Sequence, residues 1–285
     1  MFDKRTIIYN FLFFSSNYNI KLKKYVKIMK KYFEKSKKMT LQKLMSQTRQ
    51  ALDDYHMICE GETIAVGISG GKDSLALLQT LNGLKRYYSP TFQLIAVTVD
   101  VGFKNINFDA IKQMCEEMNI PYYVISTEIY QIVFKERNES NPCSLCSKMR
   151  KGAINHFLTE NHISKLAYAH HKDDVSETMM LSLLFEGRFH TFSPVTYLSQ
   201  TNITLIRPFI YVNEADIIGY MNKNKMPVIK SACPADGNTK REYIKQLIKE
   251  MNCASKDVRK KLFTAVVNSD VDGWKKEKNN ESESK

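Results

Sequence analysis

Six cysteines in 285 residues are too few for a disulfide scaffold, and only two of them form a C-x-x-C pair. That usage points to metal or redox chemistry in a reducing compartment, the cytoplasm. A long apolar run is also missing. The stretch "TIIYNFLFFSSNYNI" is broken by Asn10 and by the Ser15–Asn19 cluster, so it is too short and too polar to span a bilayer. Only lysines follow it, with no small-residue cleavage site, so a secretory leader is not expected. No internal repeat is found. Acidic residues are outnumbered, 30 against 42 Lys/Arg, for a net charge of +12. Residues 1–38 hold eleven Lys/Arg against Asp3 and Glu34, so nine of those charges belong to a basic arm. Bulk basicity is therefore weak evidence for nucleic-acid binding. The arm is expected to be disordered or to precede the true start, with Met29 and Met39 as alternative starts.

What is present is the composition of a globular protein, 43% hydrophobic and 11% aromatic. From Met39 the pattern turns regular. Leu41, Leu44, Met45, Thr48, Leu52 and Tyr55 recur at helical spacing. Nearly continuous apolar runs at 63–69, 92–100, 121–127, 165–170 and 203–210 read as strands. Helices are expected at 73–87, 107–119, 144–160, 173–187 and 213–224, with a charged helical stretch from Thr239 to Val267. Strands that alternate with helices demand right-handed crossovers and a doubly wound, parallel five-stranded α/β sheet with helical flanks. Ligands of such sheets sit beyond the strands' carboxyl ends. Ser69–Ser74, Asp100, Thr127, His170–Asp174 and Arg207 stand there.

The first strand runs into Ser69-Gly70-Gly71-Lys72-Asp73-Ser74 and then a helix. A Walker A loop is excluded, because the position five after Gly67 is Lys72 and Asp73 stands where the magnesium-binding hydroxyl belongs. G-x-G-x-x-G is excluded too. Glycines let backbone N–H groups approach an anion, the helix start adds its dipole, and Lys72 adds a charge with no evident packing partner. This motif resembles the signature of the PP-loop ATP pyrophosphatase superfamily, whose members cleave ATP between its α- and β-phosphates and leave an adenylate on an acceptor.

A second constellation bears on the acceptor. Cys143 and Cys146 in "NPCSLCSKMRKGAI" can share one metal centre but cannot complete it. Cys233, in a Cys-Pro context, is the third candidate and Cys253 its rival. Cys59 and Cys115 read as core cysteines. Three thiolates on a [4Fe–4S] cube leave one iron open for a sulfur nucleophile, whereas zinc normally wants a fourth protein ligand. A structural zinc site and a redox dithiol remain as alternatives.

Together with "AHHKDDVSETMML", "RPFIYVNEADI" and "CPADGNTKR", these motifs resemble the tRNA 2-thiocytidine synthetase (TtcA) family from about Met39 to Met251. The resemblance implies an adenine nucleotide alpha hydrolase-like fold. It also implies ATP-dependent thiolation of cytidine 32 in a tRNA anticodon loop, with ATP, Mg²⁺ and a [4Fe–4S] cluster as cofactors. By position, Ser69, Gly70, Gly71, Lys72, Asp73 and Ser74 would bind the ATP phosphates, and Asp100 would sit near the adenylate or a magnesium ion. Lys72, Asp73, His171 and Asp174 would serve catalysis, with Asp173 also closing the site, and Cys143, Cys146 and Cys233 would ligate the cluster. The domains implied are the arm 1–38, a PP-loop catalytic domain 39–251, and a charged helical C-terminus with a disordered tail, 252–285. The implied partners are tRNA and a sulfur donor such as a cysteine desulfurase, with a homodimer compatible and no membrane. One departure is "SACPADG", where many members carry a second cysteine. Lys148, Arg150, Lys151, Arg188, Lys240, Arg241, Arg259, Lys260 and Lys261 are candidates for tRNA phosphates. A 2-thiouridine synthetase, a lysidine synthetase-like ligase on the same fold and a nucleotide-binding zinc protein are the rival readings.

Overall fold

The computed structural model describes residues 41–137, 142–229, 233 and 240–275. The basic arm 1–38, most of the "SACPADG" turn and the tail after 275 lie outside the described residues. The chain separates into two units, Met1–Lys43 and Leu44–Lys285. Of the first, only residues 41–43 are described, at the start of a helix over 41–54, α1.

The second unit is built on a six-stranded sheet. Its strands are β1 (Glu62–Gly67), β2 (Phe92–Asp100), β3 (Tyr122–Ser126), β4 (Lys165–Ala167), β5 (Val195–Leu198) and β6 (Ile203–Ile206). The helices are α2 (Lys72–Leu84), α3 (Asp109–Glu117), α4 (Ile129–Gln131, continued by a π-helical turn, Ile132–Glu136), α5 (Pro142–Glu160), α6 (Lys172–Glu186), α7 (Glu214–Asn224), α8 (Lys240–Ala254) and α9 (Val258–Val267). Strand order is β3-β2-β1-β4-β6-β5, parallel throughout except for β5. The doubly wound α/β reading stands. Chain progression runs outward from β1 to β3 on one side and from β4 to β6 on the other, so the switch point lies between β1 and β4.

Apolar strands covered on both faces explain the core. Ile64, Ala65 and Val66 of β1, Leu166 and Ala167 of β4, and Leu75, Leu77, Leu78 and Leu81 of α2 are all fully buried. The sixth strand was not expected. Val195–Leu198 folds back antiparallel on Ile203–Ile206 across a tight turn with Asn202 at φ 54°. Four residues are too few to announce a strand by pattern alone. The long C-terminal helical stretch is two helices, broken at Asp257, which takes a left-handed φ of 64°. Cys115 is buried as expected, but Cys59 is exposed. It sits in the turn before β1, where its N–H donates to Glu62 Oε2 at 2.8 Å.

The chain beyond α9 is anchored by Trp274, 1% exposed. Its ring meets Phe263 edge-on at 5.7 Å and Tyr55 at 6.3 Å, and its indole N–H donates to the Phe192 carbonyl at 3.2 Å. Trp274→Ala is expected to cost about 3 kcal/mol or more by cavity formation and a lost hydrogen bond. Thermal unfolding should then fall by roughly 10 °C; an unchanged melting temperature would contradict this anchoring role.

Candidate active site

At the switch point, β1 and β4 end side by side, and a cavity of about 370 Å³ opens above them. One wall is the end of β1 and the loop after it, with Gly67, Ile68, Ser69, Asp73 and Ser74. The end of β2 contributes Val97 and Val99, and the chain leaving β4 contributes Tyr168, Ala169, His170 and Asp174. The remaining wall is α5, with Ser147, Arg150, Lys151 and Ile154. This size suits a nucleotide-like ligand.

The loop is shaped by its small residues. A Cβ on Gly67 would stand 2.7 Å from the Tyr168 ring, so glycine lets the two strand ends close up. Gly70 takes φ +80°, and its carbonyl accepts from the Ile229 N–H at 2.9 Å. The segment leading to Cys233 is thereby pinned to the loop. Ser69 N–H donates to Ser74 Oγ at 3.2 Å, and Gly71 N–H donates to Ser69 Oγ at 3.3 Å. Helix α2 begins at Lys72 with no side-chain cap hydrogen bond at its Gly71 N-cap among the described residues. Its first-turn amides and its dipole are left for an anion.

Lys72 is not unpaired, contrary to the expectation. Its Nζ lies 2.9 and 3.0 Å from the two Asp73 oxygens and 2.8 Å from Glu214 Oε1. Burial pulls the ammonium's pKa down, but the Glu214 and Asp73 carboxylates outweigh it and hold it above the usual lysine value. Burial works against Glu214 as well, and the Lys72 bond reverses it, holding the carboxyl below its usual range. Glu214 went unnoticed in the sequence. Its signal was its place at the first turn of the helix that follows β6, on the ligand side of the sheet.

His171 is buried and N-caps α6. Its N–H donates to Asp174 Oδ2 at 3.0 Å while its Nδ1 accepts from the Asp174 N–H at 3.4 Å, a reciprocal capping box. His171 Nε2 stands 3.4 Å from Asp174 Oδ2 and 3.9 Å from Asp73 Oδ1, so it links β4 to the loop. Asp173 faces elsewhere. It accepts from the Glu214 N–H at 2.8 Å and pairs with Arg259. His170 lines the cavity, and its buried Nδ1 has no partner among the described residues. Burial first, and the Arg207 charge second, push its pKa down to about 4, so the ring is neutral.

Several expected residues lie off the cavity. Asp100 Oδ1 accepts from the Gly102 N–H at 2.9 Å, and Asp100 does not line the cavity. Cys143 is exposed and Cys146 half-buried in the first turns of α5, one turn before Arg150. Burial raises the Cys146 pKa; the Arg150 charge opposes that, and Cys233 and Cys143 add to it. Cys146 is thus close enough to feel each of the other two thiols. Among the described residues, no group of three or more His, Cys, Asp or Glu side chains is already arranged to hold a metal ion. Several of the tRNA candidates are engaged internally: Arg188 with Glu186, Arg241 with Asp174 and Thr178, Arg259 with Asp173, Lys240 over the Phe185 ring and Lys261 with Ser255.

Glu177, one turn after Asp174, was also missed. Its side chain is 3% exposed, neither oxygen has a hydrogen-bond partner among the described residues, and the nearest cation, Arg241 Nε, is 3.7 Å away. Burial pushes its pKa up to about 7. A carboxyl raised on folding holds its proton where the unfolded chain has lost it. Stability contributed by Glu177 is therefore full below the unfolded value of 4.5, and falls as pH rises to about 7. Glu177→Gln is expected to gain on the order of 2 kcal/mol over the parent at pH 8 and nothing at pH 4. Urea unfolding at the two pH values measures it; an equal difference at both would refute the assignment.

The comparisons with known proteins agree with this fold. A family model described as the PP-loop domain matches residues 38–251. A tRNA-cytidine(32) 2-sulfurtransferase of Pelobacter propionicus is 34% identical over 77% of this chain and 82% of its own. Proteins of the same name from Geobacter sulfurreducens and Coxiella burnetii are each 32% identical, over 79% and 82% of this chain and 89% and 92% of theirs. Among solved structures, the U34-tRNA thiolase NcsA from Methanococcus maripaludis with its [4Fe-4S] cluster superposes with a TM-score of 0.67. At 23% identity, over 80% of this chain and 78% of that one, it supports the fold. The chain therefore belongs to the PP-loop family, in the branch whose curated members are named tRNA-cytidine(32) 2-sulfurtransferases.

Proposed function

We propose that the protein is an ATP-dependent tRNA thiolase that replaces the C2 oxygen of cytidine 32 with sulfur. The observation that carries this reading is the shared cavity: Ser69, Asp73 and Ser74 of the loop line one wall, and α5, directly after Cys146, lines another, while Gly70, Gly71, Lys72 and the cysteines themselves lie off the lining. A phosphate-binding loop alone would serve any adenylating ligase. A phosphate-binding loop facing the cysteine-bearing helix favours activation and sulfur delivery in one place.

ATP enters with its pyrophosphate on the loop. The unbonded amides at the start of α2 and the Ser69 and Ser74 hydroxyls donate to the phosphates, and Lys72 neutralises them. Mg²⁺ arrives as MgATP, part of the substrate. Asp73 and Asp174 are the carboxylates at the cavity that can reach it, one or two being the usual number beside phosphates. The cytidine O2 attacks the α-phosphorus, pyrophosphate leaves, and the C2 oxygen becomes part of an AMP leaving group. Positioning and charge neutralisation dominate such transfers. His171 Nε2 stands near both Asp174 and Asp73, and neutral His170 lines the cavity.

Cys143, Cys146 and Cys233 fit as the ligands of a [4Fe–4S] cluster, since Cys146 already senses the other two thiols. When bound, such a cluster supplies an iron with no protein ligand, on which a sulfur atom can be held. The raised Cys146 pKa means that this thiol must lose a proton to ligate. Lys148, Arg150 and Lys151 on α5 border the cavity or lie beside it and are suited to tRNA phosphates, and the target base must be splayed from its loop to enter. A sulfur donor such as a cysteine desulfurase, a cytoplasmic location and a homodimer complete the proposal.

Anaerobic purification tests it. The protein should be brown, with about four irons per chain, and should bleach in air. Cys233→Ser should lose colour and thiolation, whereas Lys72→Ala should keep the colour and lose pyrophosphate release. If Cys253→Ser, rather than Cys233→Ser, abolishes the colour, the third ligand is misassigned. A colourless protein that forms no 2-thiocytidine in nucleoside mass spectrometry would end the reading.

A further inference from the structure

We infer that helix α9, which lies beyond the matched PP-loop segment 38–251, is part of the phosphate-loop apparatus: through Arg259, Asp173 and Glu214 it sets the position of Lys72. This rests on the reading of that loop as the ATP site and names what aims its lysine.

The chain of contacts is continuous. Arg259 Nη1 donates to Asp173 Oδ1. The other Asp173 oxygen accepts the Glu214 N–H at 2.8 Å, at the first residue of α7. Glu214 Oε1 in turn receives Lys72 Nζ at 2.8 Å. Four helices, α9, α6, α7 and α2, are joined by three polar contacts over a span of 187 residues, from Lys72 to Arg259.

Each contact has a directional effect. Asp173 is 10% exposed, and without the guanidinium its carboxylate would be a nearly buried charge left with only the Glu214 amide and, 3.8 Å away, His171 Nδ1 among the described contacts. It would turn away from the Glu214 amide or take up water. The Glu214 backbone would then lose the bond that fixes its place at the start of α7. Lys72 has four rotatable bonds and an adjacent carboxylate, Asp73, that alone would draw the ammonium back along its own helix. Glu214 pulls from the α7 side and holds the ammonium between the two. Arg259 therefore acts as a positioning residue at two removes from the phosphate. The sequence suggested a different use for it, a tRNA phosphate contact, but its guanidinium is already committed to Asp173.

The test measures ATP binding to the full-length, anaerobically purified chain by equilibrium dialysis with labelled ATP. Arg259→Ala should raise the ATP dissociation constant about 3- to 10-fold, the range for coupled polar neighbours. Arg259→Lys should recover most of that loss. In a Lys72→Ala background, Arg259→Ala should add nothing, because the residue it acts through is gone. Glu214→Gln, which keeps the backbone contact and removes the charge, should show the same dependence on Lys72 and covers the case in which Arg259→Ala fails to fold. Unchanged ATP binding in both variants would overturn the relay. So would equal weakening with and without Lys72, which marks general damage. If Lys72→Ala itself leaves ATP binding unchanged, the loop assignment fails first and the relay falls with it.

Discussion

A lysine ammonium at the start of a helix is electrostatically out of place. The helix dipole puts partial positive charge there, and the first-turn amides add their own. Lys72 is the first residue of α2, so it needs counter-charge, and it finds Asp73 and Glu214 within 3.0 Å. The same cluster of positive potential that repels a lysine attracts a polyphosphate. The two carboxylates thus occupy electrostatically the role that phosphate oxygens would take. An incoming nucleotide exchanges ion pairs rather than neutralising a bare charge. Affinity in such a site reflects the difference between two well-matched states, which is why the placement of Glu214 matters as much as the lysine itself.

The rest of the site follows from where the sheet reverses. β4 is three residues long, and its chain leaves the sheet at Tyr168 to reach the α6 N-cap at His171. The two strands end side by side, and Gly67 allows Tyr168 to lie close beside the end of β1. The His171–Asp174 capping box then satisfies the Asp174 amide of α6, and the Lys172 amide donates to the Val212 carbonyl at 2.9 Å. The two helix starts at the cavity are therefore unlike. α6 carries a side-chain capping box, whereas α2 has no side-chain cap hydrogen bond among the described residues, so of the two helix starts α2 is the more open to an anion.

Most of the sheet was legible because its strands are buried on both faces and read as unbroken apolar runs, such as Leu94–Val97. The loop was legible because glycines, serines and a lysine at a strand–helix junction have few other uses. What escaped the sequence depends on distant or short-lived signals. β5 is four residues and exists because β6 offers an edge. Glu214 is 142 positions from Lys72, and no local pattern joins them. Arg259 and Arg241 look like solvent-facing cations on charged helices until Asp173 and Asp174 are brought beneath them. Trp274 stands in a polar stretch whose composition says tail, and its burial follows only from the gap between Tyr55 and Phe263.

The cysteines add a constraint of their own. Cys143 and Cys146 fall three residues apart in the first turns of α5, on one face, where a helix start favours thiolate. Burial of Cys146 works the other way and prevails, with only Arg150 opposing it. A metal centre that took Cys146 as a ligand would have to displace a proton that burial helps the thiol to keep, and would offset that cost through its own charge. Cys146 also feels Cys233, which lies four residues after Ile229, whose N–H is hydrogen-bonded to the Gly70 carbonyl.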